Sequence, residues 1–325
     1  MKASDVASAA WLVLALGGVT WLGMRGADAS SVVAPRETAG SSAASATYTR
    51  LANGERGLVD ASGFAIPLRP YVRVAGASAL ADTLLLALTE PERIDALSSY
   101  GREHSEAPHL YGARFPIVSL DQLEILIERR VDLIVMNDMR SEARLARARE
   151  SGIQLFNLGE MRGLSTLLPN IAAVAALVGA PERGRAYADK LVRRMKMVSA
   201  DIPIARRKHA LYVSAYANQL LGGAVGTSYH DVLVHAGLID VTDGEYSGWP
   251  QYDPEQLVAL DPELIIANEG TAKGLCLVGG LQQLRACQHG GAGVLSRPTA
   301  LLGDPGPRML EAAEALRTMV YGAPE

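Results

Sequence analysis

The chain has 325 residues, which is enough for about two domains of ordinary size. Hydrophobic residues make up 49% and charged residues 20%, so the chain can bury a large core, and wholesale disorder is excluded. The 31 basic and 35 acidic residues give a formal charge of -4. This disfavours a nucleic-acid-binding protein, because such proteins usually carry a basic excess.

The first 29 residues have the pattern of an export signal. Lys2 precedes an uncharged apolar stretch over 6–24, and Ala27-Asp28-Ala29 offers the small residues of a cleavage site. The apolar stretch is also just long enough to span a membrane, so an anchor retained in the inner membrane is the alternative. Either interpretation places the rest of the chain in the periplasm or another extracytoplasmic compartment. Residues 30–57, rich in Ser, Ala and Thr, are predicted to form a flexible tether.

The folded part is predicted to begin near Leu58 and to alternate strands with helices. Asp60-Ala61-Ser62-Gly63, between two apolar stretches, predicts a hairpin, and Ser78 is the predicted cap of the first helix. Further strands are predicted at 71–77, 92–98, 131–138, 153–159, 209–216, 262–270 and 301–306. Helices are predicted at 81–88, 119–130, 141–152, 228–237, 253–260 and 307–322, with a long helical stretch over 164–198 interrupted at Gly179-Ala180-Pro181. This alternation implies parallel sheets with helices on both faces.

Part of the pattern occurs twice. Residues 123–138 align without gaps to residues 254–269, and each copy has a glutamate, Glu124 or Glu255, ahead of an apolar strand that ends in a polar turn. A helix–strand step of this kind is common in α/β proteins, so the repeat predicts two similar lobes and does not by itself show homology.

The two cysteines, Cys276 and Cys287, are close in sequence. Disulfides persist outside the cytoplasm, so export favours a bridge between them. On the chain-entropy model such a bridge would stabilise the fold by about 3 kcal/mol. Two separately buried thiols are the alternative.

Several segments, taken in order, are typical of one family. They are VDASGFAIPLRPYVRVAGASALADTLLLAL (59–88), PERIDALSSY (91–100), WPQYDPEQLVALDPELIIA (249–267) and GPRMLEAAEAL (306–316). Together they resemble the substrate-binding proteins of iron-siderophore, haem and cobalamin ABC importers, and 249–267 is most like the cobalamin binders. The similarity covers about 58–322. It implies an α/β fold of two Rossmann-like lobes with parallel sheets, 58–162 and 203–325, joined by a single long interlobe helix over 163–202.

The resemblance also implies a ligand cleft where the loops after the parallel strands of the two lobes converge. Trp249 could stack there on a flat corrin, porphyrin or catecholate, or it could plug the core. Tyr100 and Tyr216 could line the cleft or be structural. Arg308 could pair with an anionic ligand group or with acidic side chains at a helix start. The predicted ligand-binding residues are Ser78, Tyr100, Asn137, Tyr216, Trp249 and Arg308.

Glu124 and Glu255 match a second feature of the family. Its members carry an acidic residue on the outer surface of each lobe, and these residues meet arginines of the two permease subunits. Such contacts set orientation and register more than affinity. The alternative is that both are ordinary solvated helix residues.

The sequence therefore predicts an exported, monomeric binding protein that hands a ferric siderophore or a cobalamin-like corrinoid to an ABC permease and its ATPase. Haem is less favoured, because FPIVSLDQLE, ahead of the first-lobe glutamate, lacks the tyrosine that haem binders often place there. We expect no catalytic residues, cofactor, metal site or nucleic-acid partner. A membrane-tethered sensory module without transport is one alternative. An α/β enzyme is another, since fold alone does not decide, although GxGxxG, P-loop, HExxH and paired CxxC patterns are missing.

Overall fold

The computed structural model describes residues 47–104, 111–112, 115–118, 122–137, 142–216, 219–297 and 306–323. The predicted export segment, most of the predicted tether and most of the predicted strand at 301–306 lie outside these residues. Among the residues that are described, no helix combines the length and apolar character needed to cross a membrane.

The described chain opens with a small antiparallel sheet in which β2 (Arg56–Val59) pairs with both β1 (Tyr48–Arg50) and β3 (Ala65–Pro67). The predicted hairpin between β2 and β3 is confirmed, and Asp60 Oδ1 accepts the backbone N–H of Ser62 and of Phe64, each at 2.9 Å.

The first of the two hairpins was not predicted. Strand β1 lies inside 30–57, so the predicted tether extends too far towards the folded part. The signal was present in Asn53-Gly54, a turn dipeptide in which Gly54 has a φ of +85°.

The first lobe is built on a five-stranded parallel sheet in the order β6-β5-β4-β7-β8. Alternate residues of β7 contact opposite layers: Leu133 and Val135 belong to one apolar cluster, and Ile134 and Met136 to another. This two-sided burial is typical of a parallel strand covered by helices on both faces. The strands are β4 (Val74–Gly76), β5 (Ile94–Ser98), β6 (Ile117–Val118), β7 (Leu133–Met136) and β8 (Gln154–Asn157). The helices are α1 (Ala79–Leu88), α2 (Ser99–His104), α3 (Leu123–Glu128) and α4 (Glu142–Glu150).

The second lobe has a six-stranded sheet in the order β12-β10-β9-β13-β14, and β11 also pairs with β9. Its core is parallel, as predicted, but β10 runs antiparallel to β9 and to β12. Only two residues separate β9 from β10, and a connection this short permits only antiparallel pairing. The strands are β9 (His209–Tyr216), β10 (Gln219–Gly222), β11 (Ile239–Asp240), β12 (Gln251–Tyr252), β13 (Leu264–Asn268) and β14 (Val294–Arg297). The helices, numbered on from the connecting pair α5 and α6, are α7 (Ser228–His235), α8 (Pro254–Leu260), α9 (Glu269–Gly274) and α10 (Met309–Tyr321).

The connection between the lobes is helical, but it consists of α5 (Leu164–Leu177) and α6 (Pro181–Met197) where a single helix was expected. Gly179, with a φ of +74°, ends the first helix, and Pro181 occupies the start of the second. The two helices pack closely at Gly184, where an added Cβ would lie 2.3 Å from the Cβ of Ala175.

One apolar cluster runs through both lobes and the connecting helices. It includes Leu84 and Leu97 of the first lobe, Ile171 of α5, and Ile266 and Met309 of the second lobe, all at most 1% exposed. The lobes therefore share a continuous core, and this opposes large rotations of one lobe against the other.

Candidate functional site

The predicted first-lobe residues follow three neighbouring strands at the carboxyl edge of the sheet. Ser78 follows β4, Tyr100 lies in α2 directly after β5, and Asn137 follows β7. The backbone N–H of Ala77 donates to the carbonyl of Val135 at 2.9 Å. This bond holds the turn that follows β4 beside the end of β7. The Ser78 hydroxyl accepts the N–H of Ala81 at 3.2 Å as the cap of α1. The side chain of Tyr100 lies outside the described part, and Asn137 is half-buried.

Trp249, in the second lobe, is held in place by its neighbours. The Gly248 carbonyl accepts the N–H of Ala224 at 2.9 Å, and the Gly248 N–H donates to the carbonyl of Val225 at the same distance. On the other side, the Pro250 carbonyl accepts the N–H of Gly222 at 2.7 Å. The backbone is thus fixed on both sides of Trp249, while its side chain is 48% exposed.

The indole of Trp249 packs against a pair of tyrosines. The rings of Tyr212 and Tyr229 stack with centroids 3.7 Å apart and an angle of 16° between their planes. The ring of Trp249 then meets Tyr229 edge-on, at 5.3 Å and 83°. Edge-to-face and offset-stacked geometries are the favourable ones for aromatic pairs. Burial, followed by the effect of Tyr212, raises the pKa of Tyr229, so its phenol stays neutral at physiological pH.

We call Tyr212, Tyr229 and Trp249 the aromatic array. Of these three residues, only Trp249 was predicted from the sequence. Tyr212 lies on β9 and Tyr229 on α7, and their contact depends on how that helix crosses the sheet, which no local pattern specifies. The nearby Gly222-Gly223 was the one available signal, because an added Cβ on Gly223 would lie 2.6 Å from the Tyr229 ring.

Tyr216 lies at the end of β9 and is 73% exposed. It lines a cavity of about 540 Å³ together with Gln219, Gln251 and the buried Tyr252. Ligand pockets commonly have volumes of roughly 300–1,000 Å³. Trp249 is not among the residues that line this cavity.

Arg308 lies at the seam between the lobes. It lines a cavity of about 360 Å³ whose walls come from α1 of the first lobe, the connecting helix α6 and the start of α10. Its guanidinium pairs with Glu311, one turn further on, at 3.1 Å. The structure thus puts Arg308 beside an acidic residue at a helix start, one of the two predicted arrangements.

Glu124 and Glu255 occupy equivalent places in the two lobes. Each is exposed in the first turn of a helix, α3 or α8, that leads into a central strand of its sheet. The carboxylate of Glu124 pairs with Arg147 at 2.7 Å, and both side chains are well exposed. The repeat extends to the backbone, since Arg130 and Asp261, which are aligned in sequence, both have positive φ values of 55° and 35°.

Both cysteines and His230 of the second lobe have structural partners. The sulfur atoms of Cys276 and Cys287 are 2.01 Å apart, at bonding distance. His230 Nδ1 lies 2.8 Å from Asp240, while Asp231 accepts the N–H of Leu164 at 2.6 Å and so caps α5. No group of three His, Cys, Asp or Glu side chains that could hold a metal ion occurs within the described residues.

The model of the Periplasmic binding protein family matches residues 80–285 of the chain. No curated protein matches its sequence. Among solved structures, a possible iron-binding (periplasmic solute-binding) protein from Staphylococcus epidermidis has a TM-score of 0.66 and 16% identity, covering 78% of this chain and 100% of that one. A periplasmic heme binding protein from Pseudomonas aeruginosa has a TM-score of 0.59 and 21% identity, covering 78% and 94%. The periplasmic heme-binding protein RhuT from Roseiflexus sp. RS-1 has a TM-score of 0.61 and 18% identity, covering 77% and 98%. At these identities the similarity shows a shared bilobed α/β fold.

Proposed function

We propose that this chain, which belongs to the periplasmic binding protein family, captures a flat, conjugated small molecule between its two lobes and delivers it to an ABC permease. The family match supports the role in solute binding. The loops after the parallel strands of each lobe supply the two walls, as is usual for ligand sites in α/β proteins.

The exposure of Trp249 is the observation that carries the proposed ligand class. A tryptophan that merely plugged the core would be buried, yet about half of this side chain is exposed while the backbone around it is fixed. An indole held in this way presents a preorganised apolar face, so stacking costs little conformational entropy. A metal chelate with aromatic groups, a corrinoid or a porphyrin would meet that face.

The ligands of the similar structures add to this choice. The proteins from Pseudomonas aeruginosa and Roseiflexus bind heme by name, and the one from Staphylococcus epidermidis is described as a possible iron-binding protein. Heme therefore belongs in the comparison with cobalamin and ferric siderophores, although the stretch ahead of Glu124 lacks a tyrosine.

Delivery is proposed to use Glu124 and Glu255. Both carboxylates are exposed at equivalent positions of the two lobes, so a permease with two similar subunits could contact one on each. The ion pair between Glu124 and Arg147 does not prevent this contact with the permease. An exposed ion pair is worth only about 0–1 kcal/mol, so an arginine of the permease can replace Arg147.

A fluorescence titration tests the ligand class. In the full chain with Trp11 and Trp21 changed to Phe, Trp249 is the only tryptophan. We expect strong quenching of its emission by one of three probes, namely hemin, cyanocobalamin or a ferric catecholate siderophore, with saturation in the micromolar range or below.

The variant Trp249→Phe serves as the matched comparison, with binding followed by the absorbance of the ligand. It should bind the same probe about tenfold more weakly, because a smaller ring gives less stacking area. If none of the three probes binds at high micromolar concentration, the proposed ligand class is wrong.

A further inference from the structure

A buried carboxyl group lies directly beneath the first-lobe side of the cleft. Asp82, on α1, is 0% exposed. Its Oδ2 accepts the hydroxyl of Ser98 at 2.9 Å and the N–H of Ser98 at 3.1 Å, and Tyr111 contributes a further hydrogen bond. We call Asp82, Ser98 and Tyr111 the buried triplet.

The triplet is connected to the cleft through Ser98. The Ser98 hydroxyl accepts the N–H of Gly101 at 2.7 Å, and this bond caps the start of α2, the short helix that carries Tyr100. Glycines make room for the carboxyl group on two sides. A Cβ on Gly76, at the end of β4, would lie 1.9 Å from Oδ1, and one on Gly101 would lie 2.6 Å from Oδ2. Asp82 therefore touches the ends of β4 and β5 and the start of α2, where the predicted ligand loops begin.

The surroundings of Asp82 offer hydrogen-bond donors but no compensating cation among its described contacts. Its titratable neighbour is the phenol of Tyr111. Helix α1 and strand β4 carry no other charged side chain. The remaining charged side chains on β5 and the described part of α2 are Asp95, which is ion-paired, and the exposed Arg102 and Glu103.

Burial outweighs the three hydrogen bonds. Desolvation raises the pKa of Asp82 from 3.8 to about 7, although the bonds from Ser98 and Tyr111 act in the opposite direction. The ionised form is consequently costly in this position. It can regain water most easily by opening α2, because that helix has only six residues and its first turn depends on Ser98.

We propose that Asp82 is a positioning residue for the first-lobe wall of the cleft. The neutral carboxyl group holds the start of α2 against the sheet, and the ionised carboxylate loosens it, so that ligand capture weakens as the pH rises. This inference rests on the proposed function for its effect on capture, whereas the loosening of α2 is a property of the ligand-free protein.

The direction of the pH effect on stability follows from proton linkage. Below pH 3.8 the carboxyl group is protonated in the folded and the unfolded chain alike. Between 3.8 and about 7 the unfolded chain has lost a proton that the folded chain retains, so stability falls as the pH rises through this window. Above about pH 7 this loss of stability is complete. At pH 8, one unit past the midpoint, the charged form exceeds the neutral form about tenfold.

The test compares the ligand-free wild type with Asp82→Asn at equal pH, which cancels the intrinsic pH dependence of amide exchange. At pH 4, close to the lower end of this window, we expect the Gly101 amide to exchange at a similar rate in both proteins. At pH 8 it should exchange about tenfold faster in the wild type. The thermal midpoint of the wild type should likewise fall relative to that of the variant as the pH rises. Equal exchange and a constant difference in midpoint across the range would overturn the proposal.

Asp60→Asn is the matched control, since Asp60 is also a buried aspartate of the first lobe and caps the hairpin turn. It should lower stability without abolishing the pH response. If Asp82→Asn does not fold, Ser98→Ala and Tyr111→Phe keep the carboxyl group and remove one donor each. Both donors favour the ionised form, so either variant should move the midpoint of the exchange response to higher pH. A purely structural role would leave that midpoint unchanged.

The final arm measures the affinity of hemin, cyanocobalamin and a ferric catecholate siderophore at pH 5.5 and pH 8. The probe that binds should bind several-fold more weakly to the wild type at pH 8, and Asp82→Asn should remove most of the difference. If no probe binds but the exchange response is present, the proposed ligand class fails while the pH-dependent loosening of α2 stands. If a probe binds with equal affinity at both pH values, the proposed link to capture is wrong.

Discussion

At the scale of single residues, the aromatic array depends on a glycine. Gly223 lies so close to Tyr229 that an added Cβ would be 2.6 Å from one ring carbon and 2.9 Å from the Tyr229 Cβ. Contacts this short cannot be accommodated without moving the ring. Trp249 meets Tyr229 edge-on, so a displaced Tyr229 would also displace the indole.

Gly223→Ala is therefore expected to weaken ligand binding by about tenfold, which corresponds to ~1.4 kcal/mol, while the protein stays folded. The measurement is a ligand titration together with a circular dichroism spectrum. Gly274→Ala is the control, because nothing lies within 4 Å of its added Cβ, and it should bind like the wild type. Unchanged affinity in Gly223→Ala would show that the array has no part in binding.

The roles of some residues could be predicted from the sequence, and those of others could not. Ser78 was predicted to cap α1 and does so, because a cap depends on neighbours three residues away. The burial of Asp82 was not foreseen. It sits in an apolar helix, and its partners Ser98 and Tyr111 come from later parts of the chain. The surroundings of Arg308 could not be predicted either, since three helices from different parts of the chain form the cavity around it.

At the scale of elements, the internal repeat is the feature that the sequence predicted best. The segments α3–β7 and α8–β13 have the same order, and a residue with positive φ follows each helix at the same position of the alignment. The matching backbone places Glu124 and Glu255 on equivalent surfaces. This equivalence motivates a symmetric test of docking.

Reversing both charges, in Glu124→Arg with Glu255→Arg, is expected to abolish uptake of the ligand in cells while its affinity for the isolated protein stays the same. The physical reason is that like charges would face the arginines of the permease. The control pair is Glu128→Arg with Glu245→Arg, which makes the same charge change at two other exposed glutamates. Normal uptake by the first pair would remove the docking role.

Elements set by tertiary pairing were harder to predict than elements set by periodicity. Helices α1 and α7 and strands β5 and β9 were predicted close to their observed bounds from apolar periodicity and flanking turn residues. The two-residue strand β12 has too few residues to show a period, and it exists only because it pairs with β10. The break between α5 and α6 was signalled by Gly179 and Pro181, yet the family resemblance favoured one long helix.

At the scale of the whole molecule, the shared core distinguishes two ways of holding a ligand. Lobes joined by a flexible linker would close by a large rotation. Here the apolar cluster continues from α1 through α5 and α6 to α10, so a large rotation would expose apolar surface at about 25 cal/mol per Å². We therefore expect capture by two nearly fixed walls, with local adjustment of loops such as the start of α2.

Capture of the ligand between the two lobes can be tested by amide hydrogen exchange with and without the probe that quenches Trp249. A ligand gripped between the lobes should slow exchange at the carboxyl edges of both sheets, in 76–79 and 98–101 of the first lobe and in 222–229 and 247–250 of the second. Slower exchange in only one lobe would contradict capture between the two.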